Sequence, residues 1–239
     1  MRFSAHRWLA AAVTCLLVQP LFAAPAAQPG DTGLRHDIQV LADYGAISGP
    51  VTTWPISWDA VLTDLEFVQA NDIVLPNKVL PTFDRLLARA QRETQRGKAS
   101  FHGSLAGAEE PVNIRGFADT PRARGELEAG VSWFSDHISL DLNVSAVDQP
   151  ADNEDVRPDG SQLGVDFGNW SIAASTMERW WGPGWDGSLI LSNNARPIPA
   201  FTIGRNRTHA PNPKWISWIG PWDLNVIWGQ LESERAVPD

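Results

Sequence analysis

Two spacings of apolar residues divide the chain. From Leu34 to about Arg96 they recur every three to four positions, as on one face of a helix. Leu34, Ile38 and Leu41 share a face, and Gly45 follows as a stop signal. Ser57 precedes Trp58, Val61, Leu62 and Leu65, with Asp59 in the first turn, which predicts an N-capped helix. A third helix is expected around Pro81 to Gln95, with Phe83, Leu86, Leu87 and Ala90 on one side and Gly97 at its end. None is long enough to be stable alone, so the three must pack on each other or on the rest of the chain.

After Lys98 the spacing becomes two. Ile138, Leu140, Leu142, Val144 and Ala146 alternate with Ser139, Asp141, Asn143 and Ser145, which predicts a two-faced strand over 138–147. The run Glu126 to Phe134 is expected to pair with it through a tight turn at Ser135–His137. Leu163, Val165 and Phe167 alternate, Gly168–Asn169 turns, and Trp170, Ile172 and Ala174 alternate again. Trp222, Leu224, Val226 and Trp228 do the same. About ten alternating residues suffice for a tilted strand to cross hydrocarbon. A soluble sheet with one wet face writes the same pattern. Aromatics near strand ends and the acidic stretch 147–161 fit a membrane barrel with an extracellular loop, yet periodicity alone leaves both readings open.

The N-terminus stands apart. Arg2, His6 and Arg7 precede an apolar run from Trp8 to Val18, and small residues follow at Ala23, Ala24 and Ala26. This is the pattern of a secretory signal peptide over about 1–26. Its loss would remove Cys15, leaving neither a disulfide framework nor a thiol nucleophile. The apolar run is too short to span a bilayer as a helix, and no longer one occurs.

Composition narrows the class. The formal net charge of −9 and the lack of a basic stripe argue against nucleic-acid binding. With 12 Trp and 9 Phe, the 239-residue chain is not disorder-like. Eight of the 12 Trp fall between Trp170 and Trp228. Such density points to sugar stacking, a membrane interface or a Trp-rich core, because each ring needs apolar contact and each indole N–H a partner.

The densest passage runs from Glu178 to Arg205 and contains Trp180-Trp181-Gly-Pro-Gly-Trp185-Asp186. It is echoed by Ile219-Gly-Pro-Trp222-Asp223. Together with Ala195-Arg-Pro197, with Leu34-Arg-His-Asp, with Leu41-Ala-Asp-Tyr-Gly45 and with Thr53-Trp-Pro-Ile-Ser57, these residues resemble the capsule assembly protein Wzi family. The resemblance covers about 34–238. It implies an outer-membrane β-barrel of about eighteen strands, preceded by a periplasmic helical bundle that helps close it. It also implies a lectin-like role in holding capsular polysaccharide, with no enzyme activity and no cofactor.

The expected fold class is therefore mainly β with a small N-terminal α-helical bundle. The expected division is a signal peptide over 1–26, a periplasmic bundle over 27–97 and part of an antiparallel transmembrane barrel over 98–239. Only about six to eight strands fit after residue 98, and the end of the sequence is charged rather than aromatic. A fragment is expected, from a truncated or split reading frame, because an open half-barrel leaves unpaired edges that hydrocarbon does not tolerate. The expected partners are capsular or extracellular polysaccharide and outer-membrane lipid, and a complete barrel would be monomeric.

Candidate polysaccharide-binding residues are Arg179, Trp180, Trp181, Trp185, Asp186 and Arg196. The rings suit pyranose faces, and the charged groups suit hydroxyls. The competing reading packs the rings between the barrel wall and the helical plug. Trp215, Trp218 and Trp222 read as girdle or turn packing. Arg196, Arg205 and Arg207 form a modest basic set that would suit an acidic polymer or simply line a polar lumen. Asp148, Asp152, Glu154, Asp155 and Asp159 match no EF-hand spacing and read as a solvated loop. His36, His102, His137 and His209 make no paired metal motif, and no nucleophile-elbow or phosphate-loop sequence occurs. Asp119, Glu126, Glu128 and Asp186 offer no compelling acid pair for glycoside hydrolysis. The alternatives are a secreted all-β glycoside hydrolase and a soluble periplasmic carbohydrate-binding module.

Overall fold

The computed structural model describes residues 25–112, 114–150, 154–208, 218–220 and 222–230. Most of the expected signal peptide, Trp215 and Asp152 lie outside the described residues. The chain opens with the short strand β1 (Ala26–Ala27) and helix α1 (Thr32–Asp43). Next come β2 (Thr53–Trp54), β3 (Ile56–Ser57), α2 (Trp58–Ala70) and α3 (Leu80–Glu93). The remaining strands are β4 (Ala99–Gly107), β5 (Gly125–Phe134), β6 (Ile138–Asp148), β7 (Val156–Arg157), β8 (Gln162–Phe167) and β9 (Trp170–Ser175). They are followed by β10 (Trp180–Trp181), β11 (Ala200–Arg205) and β12 (Asn225–Gly229).

Local chemistry sets the helix boundaries. The Asp31 carboxylate accepts from the Leu34 N–H and caps α1. The Ser57 hydroxyl accepts from the Ala60 N–H and caps α2, as its sequence position predicts. Phe83, Leu86, Leu87 and Ala90 of α3 are buried, as their spacing predicts. Two ion pairs tie α3 to the start of α1. Arg85 grips Asp37 through two contacts of 2.6 and 2.8 Å, and Arg89 reaches Asp31 at 2.6 Å. Burial raises the Asp31 carboxyl, but the Leu34 N–H and Arg89 outweigh it, and the net shift is below the ordinary value.

The sheet is antiparallel, in the order β12-β11-β9-β8-β6-β5-β4, with β7 paired to β6. The β5–β6 hairpin turns at 135–137, as the sequence predicts. The β8–β9 hairpin turns through Gly168 and Asn169, with Gly168 at φ +59°, the left-handed geometry a two-residue turn needs at its first position. Two strands of the wall, the long β4 and the short β11, carry no clear alternation of their own in the sequence. The alternation from Trp222 is shorter than expected, because pairing with β11 begins only at Asn225.

The decisive feature is which face points inward. Along β6 the polar residues Ser139, Asp141, Asn143 and Ser145 are buried, while Leu142 is 49% and Val144 54% exposed. On β8, β9 and β11 likewise, Leu163, Val165, Ile172, Phe201 and Ile203 face out. A soluble one-sided sheet turns its apolar face to a core. This sheet does the reverse, as a barrel wall in lipid does. The continuous apolar core sits in the helical region and extends only to Phe117 and Trp180. Among the described residues the sheet does not close, and β4 and β12 are its two edges.

No helix among the described residues is long and apolar enough to cross a membrane.

Candidate functional site

Three long connections meet at one end of the sheet: 108–124, 149–161 and 176–199. The opposite end carries the two tight turns and the 206–224 connection. The 176–199 connection holds the Trp-Trp-Gly-Pro-Gly-Trp run, and four arginines fasten it to its surroundings.

Arg35 of α1 is the first. Its Nη2 donates to the carbonyls of Gly182 at 3.3 Å, Pro183 at 2.9 Å and Gly184 at 2.9 Å. Its guanidinium lies 4.3 Å from the Phe117 ring centroid and 4.5 Å from that of Trp185. Burial pushes the Arg35 guanidinium below its ordinary pKa. Arg115 is the second: its backbone N–H donates to Asn194 Oδ1 at 2.7 Å, and its Nη1 reaches the Asn193 carbonyl at 3.3 Å. Burial, and then the nearby Arg122 charge, lower the Arg115 pKa, while Glu178 opposes them. Arg122 is the third, with Glu178 at 2.6 Å and the Ala195 carbonyl at 3.1 Å. Arg196 is the fourth. It takes Asp159 through two contacts of 3.0 Å and also pairs with Glu154, which joins this connection to 149–161.

The aromatic centre of this assembly is Phe117. Trp54 meets it edge-on at 5.0 Å, Trp180 at 5.9 Å and Trp185 at 6.0 Å. Trp54 and Trp180 are also paired backbone to backbone, because β2 and β10 form a two-stranded sheet. The Trp180 indole N–H donates to the Gly184 carbonyl at 3.0 Å. Glycine is required at Gly182, where a Cβ would stand 2.7 Å from the Leu189 nitrogen. The motif therefore docks the helical region to the sheet.

The six candidate residues separate on this geometry. Trp180 is fully buried and offers no face to a ligand. Arg179 is buried too, and its bonds go to the Met177 carbonyl, Ser175 Oγ and Thr202 Oγ1. Trp181 is half-buried, opposite Thr53. Arg196 is committed to Asp159 and Glu154, two of the residues expected in a solvated acidic loop. Trp185 and Asp186 present exposed surface side by side. Arg205 and Arg207 do not join Arg196. Arg205 stacks 4.0 Å from the Trp222 centroid, and the Arg207 N–H donates to Asn169 Oδ1 at 2.8 Å.

Behind these connections a polar cleft of about 250 Å³ opens on the inner face. Its walls include Arg115, Arg122, Glu126, Glu128, Asn143 and Glu178. Sequence reasoning weighed Glu126 and Glu128 only as carboxylates and missed Arg35, Arg115, Arg122 and Glu178. Their signal lies in pairing across distant segments, which spacing cannot display. No cluster of three or more metal-ligating side chains occurs among the described residues.

A sheet with its polar face inward, a helical region packed against it and a folded-in Trp loop are the setting for the comparisons with known proteins. Residues 95–239, more than half of the chain, match the family described as capsule assembly protein Wzi. The chain belongs to the Wzi family. Wzi of Escherichia coli, described as an outer-membrane, carbohydrate-binding β-barrel involved in group 1 capsule assembly, superposes with a TM-score of 0.69 at 25% identity. The match covers 90% of this chain and 47% of that one. An uncharacterized 55.8 kDa protein of the cps region of Klebsiella pneumoniae is 28% identical over 216 residues, 87% of this chain and 40% of that protein. The chain thus spans less than half the length of either relative. The Wzi match also settles the fold class: mainly β, with three helices and an antiparallel sheet that corresponds to part of a Wzi barrel.

Proposed function

We propose that this chain forms the helical plug and part of the wall of an outer-membrane barrel that retains capsular or extracellular polysaccharide at the cell surface. Binding is non-covalent, with no bond made or broken and no cofactor. The observation that carries the reading is the inverted sheet, apolar outward and polar inward, in a Wzi-family chain. The outward face takes outer-membrane lipid, and the 1–26 segment directs export. A complete barrel acts as a monomer, since closure removes both edges. The long connections face the cell exterior, as barrel loops usually do, and the tight turns face the periplasm. In that orientation the ligand meets the 176–199 connection first. Trp185 and Asp186 contact it, while Arg179, Trp180 and Arg196 hold the connection in shape.

The test is to delete the gene in the producing strain and measure polysaccharide in the cell-bound and medium fractions. The reading expects the cell-bound share to fall while the total is unchanged, and expects the native gene to restore it. An unaltered partition, or new reducing ends released by the purified protein, would overturn it.

A further inference from the structure

We propose that Trp185 is a sugar-stacking platform held in place by Arg35, and that it receives the apolar C–H face of a hexopyranose unit. The proposal rests on the polysaccharide-binding reading and narrows it to one ring and one positioning residue.

Four aromatic rings surround Phe117 or belong to its cluster, and only Trp185 reaches solvent. Trp54, Phe117 and Trp180 are fully buried, whereas Trp185 is 41% exposed. The Arg35 guanidinium covers one face of the Trp185 ring at 4.5 Å, and Phe117 contacts it edge-on with an interplanar angle of 68°. Beyond these two contacts the Trp185 residue keeps exposed surface for a ligand. An indole face carries the negative side of the ring quadrupole, which suits the C–H edge of a pyranose.

The platform is fixed before any ligand arrives. The Trp185 carbonyl accepts from the Phe117 N–H at 2.7 Å. The preceding Gly184 carbonyl accepts from both Arg35 and the Trp180 indole. A Cβ at Gly182 would strike Leu189, so the turn has one narrow solution. A rigid aromatic loses little entropy on binding. Arg35 is itself unusual. It is 96% buried, makes no ion pair among those described, and spends its hydrogen bonds on three consecutive carbonyls of this one turn. A buried cation is costly to place, and simple packing would be served by an apolar residue. Its planar fork and its stacking on two rings are properties lysine lacks.

The experiment uses the full-length protein in detergent, with 5-fluorotryptophan in place of Trp and with polysaccharide extracted from the producing cells as the probe. The Trp185 fluorine resonance is identified by its loss in Trp185→Phe. On titration it should shift, while the resonances of Trp54 and Trp180, identified likewise, stay fixed. Trp185→Leu should weaken retention of the polysaccharide about tenfold, the effect of one lost stacking contact. Arg35→Lys should broaden the Trp185 resonance and weaken binding by a similar factor. Heat-modifiable mobility of the barrel should be unchanged, which separates positioning from misfolding. If Arg35→Lys fails to assemble, Trp185→Leu and the wild-type titration decide alone. Bulk binding with a stationary Trp185 resonance, or full affinity in Trp185→Leu, would overturn the platform and leave the polysaccharide reading standing. No bulk binding by the wild type would overturn both.

Discussion

The helical region and the sheet obey opposite rules within one chain. In the helices the apolar residues Ile38, Leu41 and Leu65 are fully buried, and the two buried charged residues of α1, Arg35 and Asp37, have polar partners. In β6 the buried positions are Ser139, Asp141, Asn143 and Ser145, and the apolar ones point out. The first is stabilised by removing apolar surface from water. The second gains nothing from that effect inside its own fold, and its backbone hydrogen bonds and its surroundings have to hold it. The contrast teaches that burial alone does not identify the stabilising residues of this protein.

The same chemical change should therefore have unequal effects. Leu41→Ala is expected to cost about 2–5 kcal/mol through the lost contacts and the cavity left behind. Leu142→Ala, on an outward face, should stay within about 0.5 kcal/mol. Denaturant titration followed by helical circular dichroism and by barrel mobility would compare them, and equal losses would refute the inversion. Reversing the polarity is the complementary test. Val144→Arg should hinder barrel assembly by about 2–4 kcal/mol if the residue lies near the bilayer midplane. Glu128→Gln, on the inner face, should assemble normally in an outer-membrane fractionation.

Smaller effects are expected at the helix starts. Ser57→Ala removes the cap of α2 and should cost about 1 kcal/mol, read as a lower melting temperature of the helical signal. Acid should loosen the start of α1. The folded-state pKa of Asp31 lies below its ordinary value of 3.8. Its stabilising contribution is complete above 3.8 and is lost as pH falls through the lower folded value. Asp31→Asn should flatten that part of the pH–stability curve, and an unchanged acid limb would show that Asp31 does not contribute.

Much of the fold was legible because its signals are local. Helix spacing and the cap at Ser57 lie within a few residues of one another, as do the turns at Ser135–His137 and Gly168–Asn169. Strands β4 and β11 were harder, since β4 mixes Phe101 and Leu105 with Gly103 and Gly107, and β11 is short. The candidate site was legible as a place and not as an arrangement. The Trp-rich run marks the connection that matters, but nothing in its spacing says that Trp180 is sealed inside while Trp185 looks out. That division comes from Arg35, Trp54 and Phe117, which stand far away in sequence.

By itself the sequence determined the two periodicities, the family resemblance and the fact that β6, β8 and β9 each have one apolar and one polar face. Alternation is a property of the extended backbone, and it survives any packing. Tertiary structure alone decided which face turns inward and which tryptophan reaches the surface. Both depend on what lies across the sheet. Here a helical region with its own apolar core meets the 176–199 connection and Phe117 through the buried Arg35, the β2–β10 pairing and a cluster of four aromatic rings.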